Sequence, residues 1–342
     1  MAGRRPTVRT IGAALQLSRS TVSNALRGQK GVKPETAVRI RQYAAKVGYR
    51  SNPLATKVMS QMRRTSEARH LGTLGVLELD EPGRPPAAAL FNQRLLQGIR
   101  KRAAELGFTA VHRRFGAGSP SLKELNKALY CQGIEGLLFL PSWSEPDLME
   151  LDWTRFTAVY TDYLIRRPAL HTVSTDHFRS LFDAVDRARS HGYRRVGLAV
   201  ARRADERLNF RWAGAYLSYL HEHPEMTYVP PLAVDEVRAE NFEPWFREHQ
   251  PEVVVAHWID APPVMAAAGA AIPRTHGFVC LNVLAAPPEY SGYDLLPTLL
   301  GTRAVEIVIS QIERHDRGIP GVPSNTLVPA RWVDRGTLAP RV

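Results

Sequence analysis

Ser18-Arg19-Ser20-Thr21-Val22-Ser23-Asn24-Ala25-Leu26-Arg27-Gly28 reads as one short amphipathic helix. Ser18 is a capping residue, Val22, Ala25 and Leu26 recur at helical spacing, and Gly28 stops the run. The other side carries Arg19, Ser20, Ser23 and Asn24. Upstream, Thr7 to Leu17 forms a first helix, capped by Thr7, with Ile11, Ala14 and Leu15 on one face. Downstream, Lys33-Pro34-Glu35-Thr36 opens a third with proline in its first turn, and Val38, Ile40, Tyr43, Ala44 and Val47 form its expected buried face up to Gly48. Three short helices thus share a core. The second has an outer face slim and polar enough for a DNA major groove about 12 Å wide.

Charge distribution points the same way. The 342 residues carry a net +12, yet residues 1–64 hold fourteen Lys and Arg against one acid, Glu35. That is +13, leaving the rest of the chain at −1 with 31 basic and 32 acidic residues. A module that neutralises phosphates, attached to a body with another task, accounts for this asymmetry. An interfacial membrane helix would need a broad apolar face flanked by Trp or Phe, which the segment lacks. No apolar run approaches the roughly 18 residues of a membrane span, and no apolar stretch follows the first arginines as in a secretory signal. A cytoplasmic location is the default expectation. Cys131 and Cys280 lie in apolar surroundings without metal-binding spacing, and read as buried small hydrophobes.

The N-terminal segment resembles the headpiece of the LacI family of transcriptional regulators. The match runs without a gap from Thr7-Val8-Arg9 to Gly28 and continues through Val32-Lys33-Pro34-Glu35-Thr36 and Val47-Gly48-Tyr49-Arg50-Ser51-Asn52-Pro53-Leu54-Ala55. The resemblance implies base contacts from Arg19, Ser20 and Asn24, and phosphate contacts from Thr7, Thr21, Ser23, Thr36, Tyr49 and Asn52. The chemistry agrees, since Arg pairs bidentately with guanine and Asn with adenine, each worth roughly 1–3 kcal/mol of discrimination. Two departures stand out. Asn24 replaces a common arginine, which predicts a different half-site, and Gln16 replaces a common glycine, which predicts an altered turn or a left-handed non-glycine residue. In residues 52–62, Leu54, Ala55, Val58 and Met59 have near-helical spacing. A helix this short needs a partner to be stable, so folding on DNA is expected. The resemblance implies pairing of two such hinges in the minor groove, with Val58 or Met59 as the apolar wedge.

From Leu71 onward, strand-like runs alternate with helical ones. Expected strands are 73–79, 109–113, 136–140, 158–161, 172–174, 195–200, 253–257 and 278–282, with helices at 92–106, 122–131, 178–191, 211–221 and 302–314. Such alternation predicts doubly wound parallel sheets in two lobes. Val173-Ser174-Thr175-Asp176 and His191-Gly192-Tyr193-Arg194-Arg195-Val196-Gly197-Leu198 resemble the lobe-crossing region of the family's periplasmic-binding-protein-like core. The expected organisation is a headpiece at 1–51, a hinge and linker at 52–70, and a two-lobed α/β body at 71–342. Lobe 1 is expected at about 71–174 and 292–322, and lobe 2 at about 175–291 and 323–342.

Ligands of open α/β sheets sit beyond the carboxyl ends of the strands, here between the lobes. By position, the resemblance implies effector contacts from Asp162, Arg211, His257, Trp258 and Asn282, the tryptophan as an aromatic able to stack on a sugar ring. It also implies a repressor acting as a homodimer or tetramer on a pseudo-palindromic operator, with a carbohydrate effector. No cofactor or metal is expected. Other classes fare worse: no GxSxG, P-loop, HExxH or strand-linked GxGxxG motif supports an enzyme, and a transport-type binding protein has no need of +13 in its first 64 residues.

Overall fold

The computed structural model describes residues 8–26, 32–47, 71–81, 83–116 and 121–341. These fall into two compact units, an N-terminal one and one that takes up nearly all of the chain from Gly72 onward.

In the N-terminal unit, α1 (Val8–Leu15), α2 (Arg19–Leu26) and α3 (Pro34–Lys46) bury Ile11, Val22, Ala25, Ala37, Ile40 and Ala44 against one another. Gln16 adopts φ 56°. Its N–H donates to Ala13 and that of Leu17 donates to Gly12, so the end of α1 closes on its own carbonyls around a left-handed residue. The Ser18 hydroxyl accepts from Thr21 N at 3.0 Å and so caps α2. Val38, expected inside, is 50% exposed. Ala37 and Ile40 take the inward positions on either side of it, and at 100° per residue the face cannot hold all three.

The larger unit contains two six-stranded sheets. The first runs β11 (Asn325–Val328), β5 (His171–Thr175), β4 (Thr157–Tyr160), β3 (Gly136–Phe139), β1 (Gly72–Asp80), β2 (Phe108–Gly116). The second runs β12 (Arg331–Val333), β10 (Gly292–Asp294), β9 (Gly277–Cys280), β8 (Val253–Ala256), β6 (Val196–Ala201), β7 (Leu232–Val234). Every pairing is parallel except β10 with β12. Strands β3, β4, β8 and β9 are buried along their whole length, as strands covered on both faces must be.

The chain passes from the first sheet to the second after Thr175, returns between Asp294 and Pro297, and crosses again between Val328 and Arg331. The last two crossings lie a few residues beyond the expected positions, because β10, β11 and β12 have only three or four residues and leave no periodic signal. The helices are α4 (Pro86–Glu105), α5 (Leu122–Cys131), α6 (His177–Ser190), α7 (Arg202–Arg207), α8 (Arg211–Glu222), α9 (Ala239–His249), α10 (Ala261–Ala267) and α11 (Pro297–Arg314). Three of these, α7, α9 and α10, were not expected. Pro244 sits inside α9 and two prolines open α10, and prolines read locally as breakers although a first turn tolerates them.

Helices α4 and α11 touch through glycines. A Cβ on Gly98 would lie 2.1 Å from the Thr298 carbonyl oxygen, and one on Gly301 would lie 2.3 Å from that of Leu95. Only hydrogen fits at either place. Cys280 is buried, and burial pushes its thiol up to about 11. Cys131 is exposed, contrary to expectation, because it ends α5 while Leu125 and Leu129 occupy that helix's inner face.

Candidate functional site

A cavity of about 190 Å³ lies where the two sheets' carboxyl-end loops meet. It is small beside the roughly 300–1,000 Å³ of drug-sized sites, which matches a small, closely held ligand.

The first lobe supplies the loops after β1, β3 and β4 and the start of α4. Asp162, two residues beyond β4, is 5% exposed. Its Oδ1 accepts from Tyr163 N at 2.7 Å, and its Oδ2 from Ser142 N at 3.1 Å. Arg207 of α7 reaches across from the second lobe, donating to Asp162 Oδ2 at 3.1 Å and to the Ser142 carbonyl. Burial pushes the Asp162 carboxyl up, against the pull of Arg207 and the backbone N–H groups. The Arg207 guanidinium also lies 4.5 Å from the Trp143 ring centroid. Arg84 at the rim has its charge matched by Glu78 and Glu81. Burial opposes ionisation of Glu78, yet hydrogen bonds from His112, Asn92 and Arg84 hold its carboxyl down at about 2.

The second lobe supplies a row of rings. His177 opens α6, Trp212 lies in the first turn of α8, and His257 follows β8. Their centroids are 5.6 Å apart for His177 and Trp212 and 5.7 Å for Trp212 and His257, and Tyr163 continues the row 6.1 Å from His177. Burial, with help from Arg211 and Arg207, lowers His177 to about 3, and burial alone lowers His257 to about 4. Both imidazoles are therefore neutral near pH 7.

Asp162, His257 and Asn282 line this cavity, as expected. Arg211 and Trp258 do not. Arg211 lies with its guanidinium 4.4 Å from the centroid of the Tyr163 ring, behind the wall. Trp258 packs 5.5 Å from Phe242 in the second lobe's core. Aromatic walls come instead from Phe91, Trp143, Tyr163 and Trp212. Only Trp212 had a local signal, directly after the singled-out Arg211. Arg207 and His177 sit on helix starts and ends whose direction depends on the neighbouring lobe.

In the N-terminal unit, Asn24 and Thr21 are half-buried on α2, and the Thr21 hydroxyl lies 2.7 Å from that of Ser18. Arg19, Ser20 and Ser23 share that helix, and Thr36 lies half-buried in the first turn of α3. Thr7, Tyr49, Asn52, Leu54, Ala55, Val58 and Met59 lie outside the described residues. Among the described residues no group of His, Cys, Asp and Glu suits a metal ion, and no helix is long and apolar enough to cross a membrane.

This architecture recurs among solved structures. The transcriptional regulator CelR in complex with cellobiose superposes with a TM-score of 0.58 at 19% identity, over 97% of this chain and all of that one. The lac repressor dimer bound to operator and the anti-inducer ONPF gives 0.55 at 15%, over 98% and 100%. The chain has the LacI-type regulator fold. A LacI-family regulator from Enterococcus faecium with bound ribose matches 79% of the chain and all of its own length, with a TM-score of 0.56 and 17% identity. Among curated proteins, an HTH-type transcriptional regulator of Mycolicibacterium smegmatis is 26% identical over 203 residues, 58% of this chain. The chain spans about half, 52%, of that relative's length. No family model matches it.

Proposed function

We propose that this protein is a sequence-specific DNA-binding transcriptional repressor that binds a pseudo-palindromic operator as a homodimer and answers to a small, sugar-like effector held between its two lobes. The observation that carries the reading is the pairing, in one chain, of a +13 N-terminal segment folded as three helices with an interlobe cavity that is lined by aromatic and hydrogen-bonding side chains. The surplus charge supplies affinity for any duplex, while Arg19, Ser20 and Asn24 on α2 read base edges. One headpiece has a small footprint, so two on half-sites one helical turn apart are needed for tight binding. Solved proteins of this fold include one crystallised as a dimer on operator and others holding cellobiose or ribose, which supports both the DNA and the effector parts of the reading. Effector and DNA are coupled reciprocally by about 1–3 kcal/mol in such systems.

Selection of preferred duplexes from a random pool by the purified protein tests this. The expected outcome is a palindromic consensus and an affinity that falls steeply with salt. Binding without sequence preference, or with a shallow salt slope, overturns it.

A further inference from the structure

Ser142 Oγ, His177 Nδ1, Arg207 Nε, Trp212 Nε1 and His257 Nδ1 are buried and have no hydrogen-bond partner in the protein. All five residues line the same interlobe cavity. Ser142, His177 and Trp212 are 2%, 8% and 5% exposed. Buried orphans each cost stability, and their concentration on one chamber marks the groups that meet a ligand.

Two of the five can only donate, Trp212 Nε1 and Arg207 Nε, whereas the serine hydroxyl and the neutral imidazoles can donate or accept. Asp162 is the one carboxylate among the described lining residues, and both its oxygens are already engaged, by Tyr163 N, Ser142 N and Arg207. A neutral polyol brings a proton on every hydroxyl and needs acceptors to take them. Apart from Asp162, the acceptors on the lining side chains are serine, threonine and tyrosine hydroxyls, two asparagine amides and the imidazoles, none of them charged. The charge balance leans the same way. Arg207 is matched by Asp162, but no carboxylate ion-pairs with Arg211 among the described residues, and its guanidinium faces the Tyr163 ring at 4.4 Å.

We propose that the interlobe site takes a small carboxylate, of the sugar-acid type, in preference to the corresponding neutral sugar. This rests on the reading of the cavity as an effector site. The carboxylate receives hydrogen bonds from Trp212 and Arg207 in a desolvated chamber, where charge-assisted bonds are strong. The ligand's hydroxyls use the Ser142 oxygen and an imidazole nitrogen as acceptors.

The test is calorimetry and thermal melting of the full-length protein with glucose, ribose and cellobiose against gluconate, glucuronate, galacturonate and ribonate. Each is present at about 10 mM, with sodium chloride equalising ionic strength in the neutral arms. At least one acid is expected to bind with one-to-one stoichiometry and raise the melting temperature, with its neutral counterpart about 100-fold weaker or silent. Trp212→Phe, which keeps a ring and removes the N–H, is expected to weaken the acid about 10-fold or more. Arg211→Gln provides a second variant that removes the unmatched charge and is expected to narrow the acid-to-sugar ratio. A neutral sugar that outbinds its acid, or no binding by any acid, overturns the proposal. Duplex selection on the same preparation separates the two readings: a DNA consensus alongside a neutral-sugar preference overturns this inference alone, whereas loss of the consensus overturns the regulator reading.

Discussion

Arg207 of the second lobe donates to Asp162 of the first at 3.1 Å, across 45 residues of chain, and also donates to the neighbouring Ser142 carbonyl. Arg203 reinforces this bridge, with its guanidinium 5.7 Å from the centroid of the Trp143 ring. The pair acts as a latch between the lobes. Arg207→Gln leaves a buried carboxylate without its cation, a change that costs up to about 3–5 kcal/mol in a rigid interior. Lobe opening, by letting water reach Asp162, limits the loss. The expected result is a lower melting temperature and a larger radius of gyration in solution scattering, with partial recovery in Arg207→Gln/Asp162→Asn. An unchanged radius and melting point in Arg207→Gln would remove the latch.

The two cavity histidines set an acid limit. His177 and His257 are held at about 3 and about 4 in the folded chain, below the usual 6.5, first by burial. Both are neutral in folded and unfolded forms above pH 6.5, so they cost nothing there. Below it the unfolded chain binds protons that the folded chain refuses, and stability falls with pH until the folded values are reached. Melting curves between pH 7.5 and pH 5 should show this decline, and His257→Gln should flatten it. A variant whose slope matches the parent's would refute the assignment.

Helices α4 and α11 should resist any side chain at their crossing. Gly301→Ala forces a methyl group against the Leu95 carbonyl, and overpacking of this kind costs about 1–3 kcal/mol or more. At Gly214, inside α8, an added methyl group would have nothing within 4 Å, so Gly214→Ala should stabilise by about 0.5–1 kcal/mol. Chemical denaturation of both variants checks the opposite signs.

The headpiece carries its own contrast. Gln16 bears the cost of a left-handed conformation, about 1–2 kcal/mol for a non-glycine residue, so Gln16→Gly should stabilise this unit. Ser18→Ala removes the cap on Thr21 N and should cost about 1 kcal/mol. Hydrogen exchange of α1 and α2 amides reads both.

For DNA, Asn24→Ala should lower discrimination at one base pair of each half-site by about 1–3 kcal/mol while leaving the salt slope intact. Repeating duplex selection with the variant measures it. A uniform loss across all positions would instead mark Asn24 as a structural residue.

Local pattern was enough for the headpiece. Helix α2 begins and ends where its cap, its i, i+3, i+4 apolar set and its glycine put it, and α5 matches residue for residue. Alternation of β and α runs likewise determined the doubly wound class, because fully buried parallel strands need unbroken apolar runs such as Val253-Val254-Val255-Ala256. Helix α9 escaped notice because Pro244 breaks the local pattern, while burial of Phe242, Trp245 and Phe246 holds the helix regardless. What only the tertiary structure decided is which side chains face the cavity. Trp258 was itself expected at the site and Trp212 only neighbours an expected residue, yet Trp212 lines the chamber and Trp258 packs on Phe242. Arg207 looks like an ordinary surface charge in one dimension, and only in three does it become the buried interlobe partner of Asp162, which the resemblance had singled out by position. Spacing along the chain encodes helices and strands through their short periods. The direction of a loop or helix end is set by contacts dozens of residues away, and the cavity is built almost wholly from such ends.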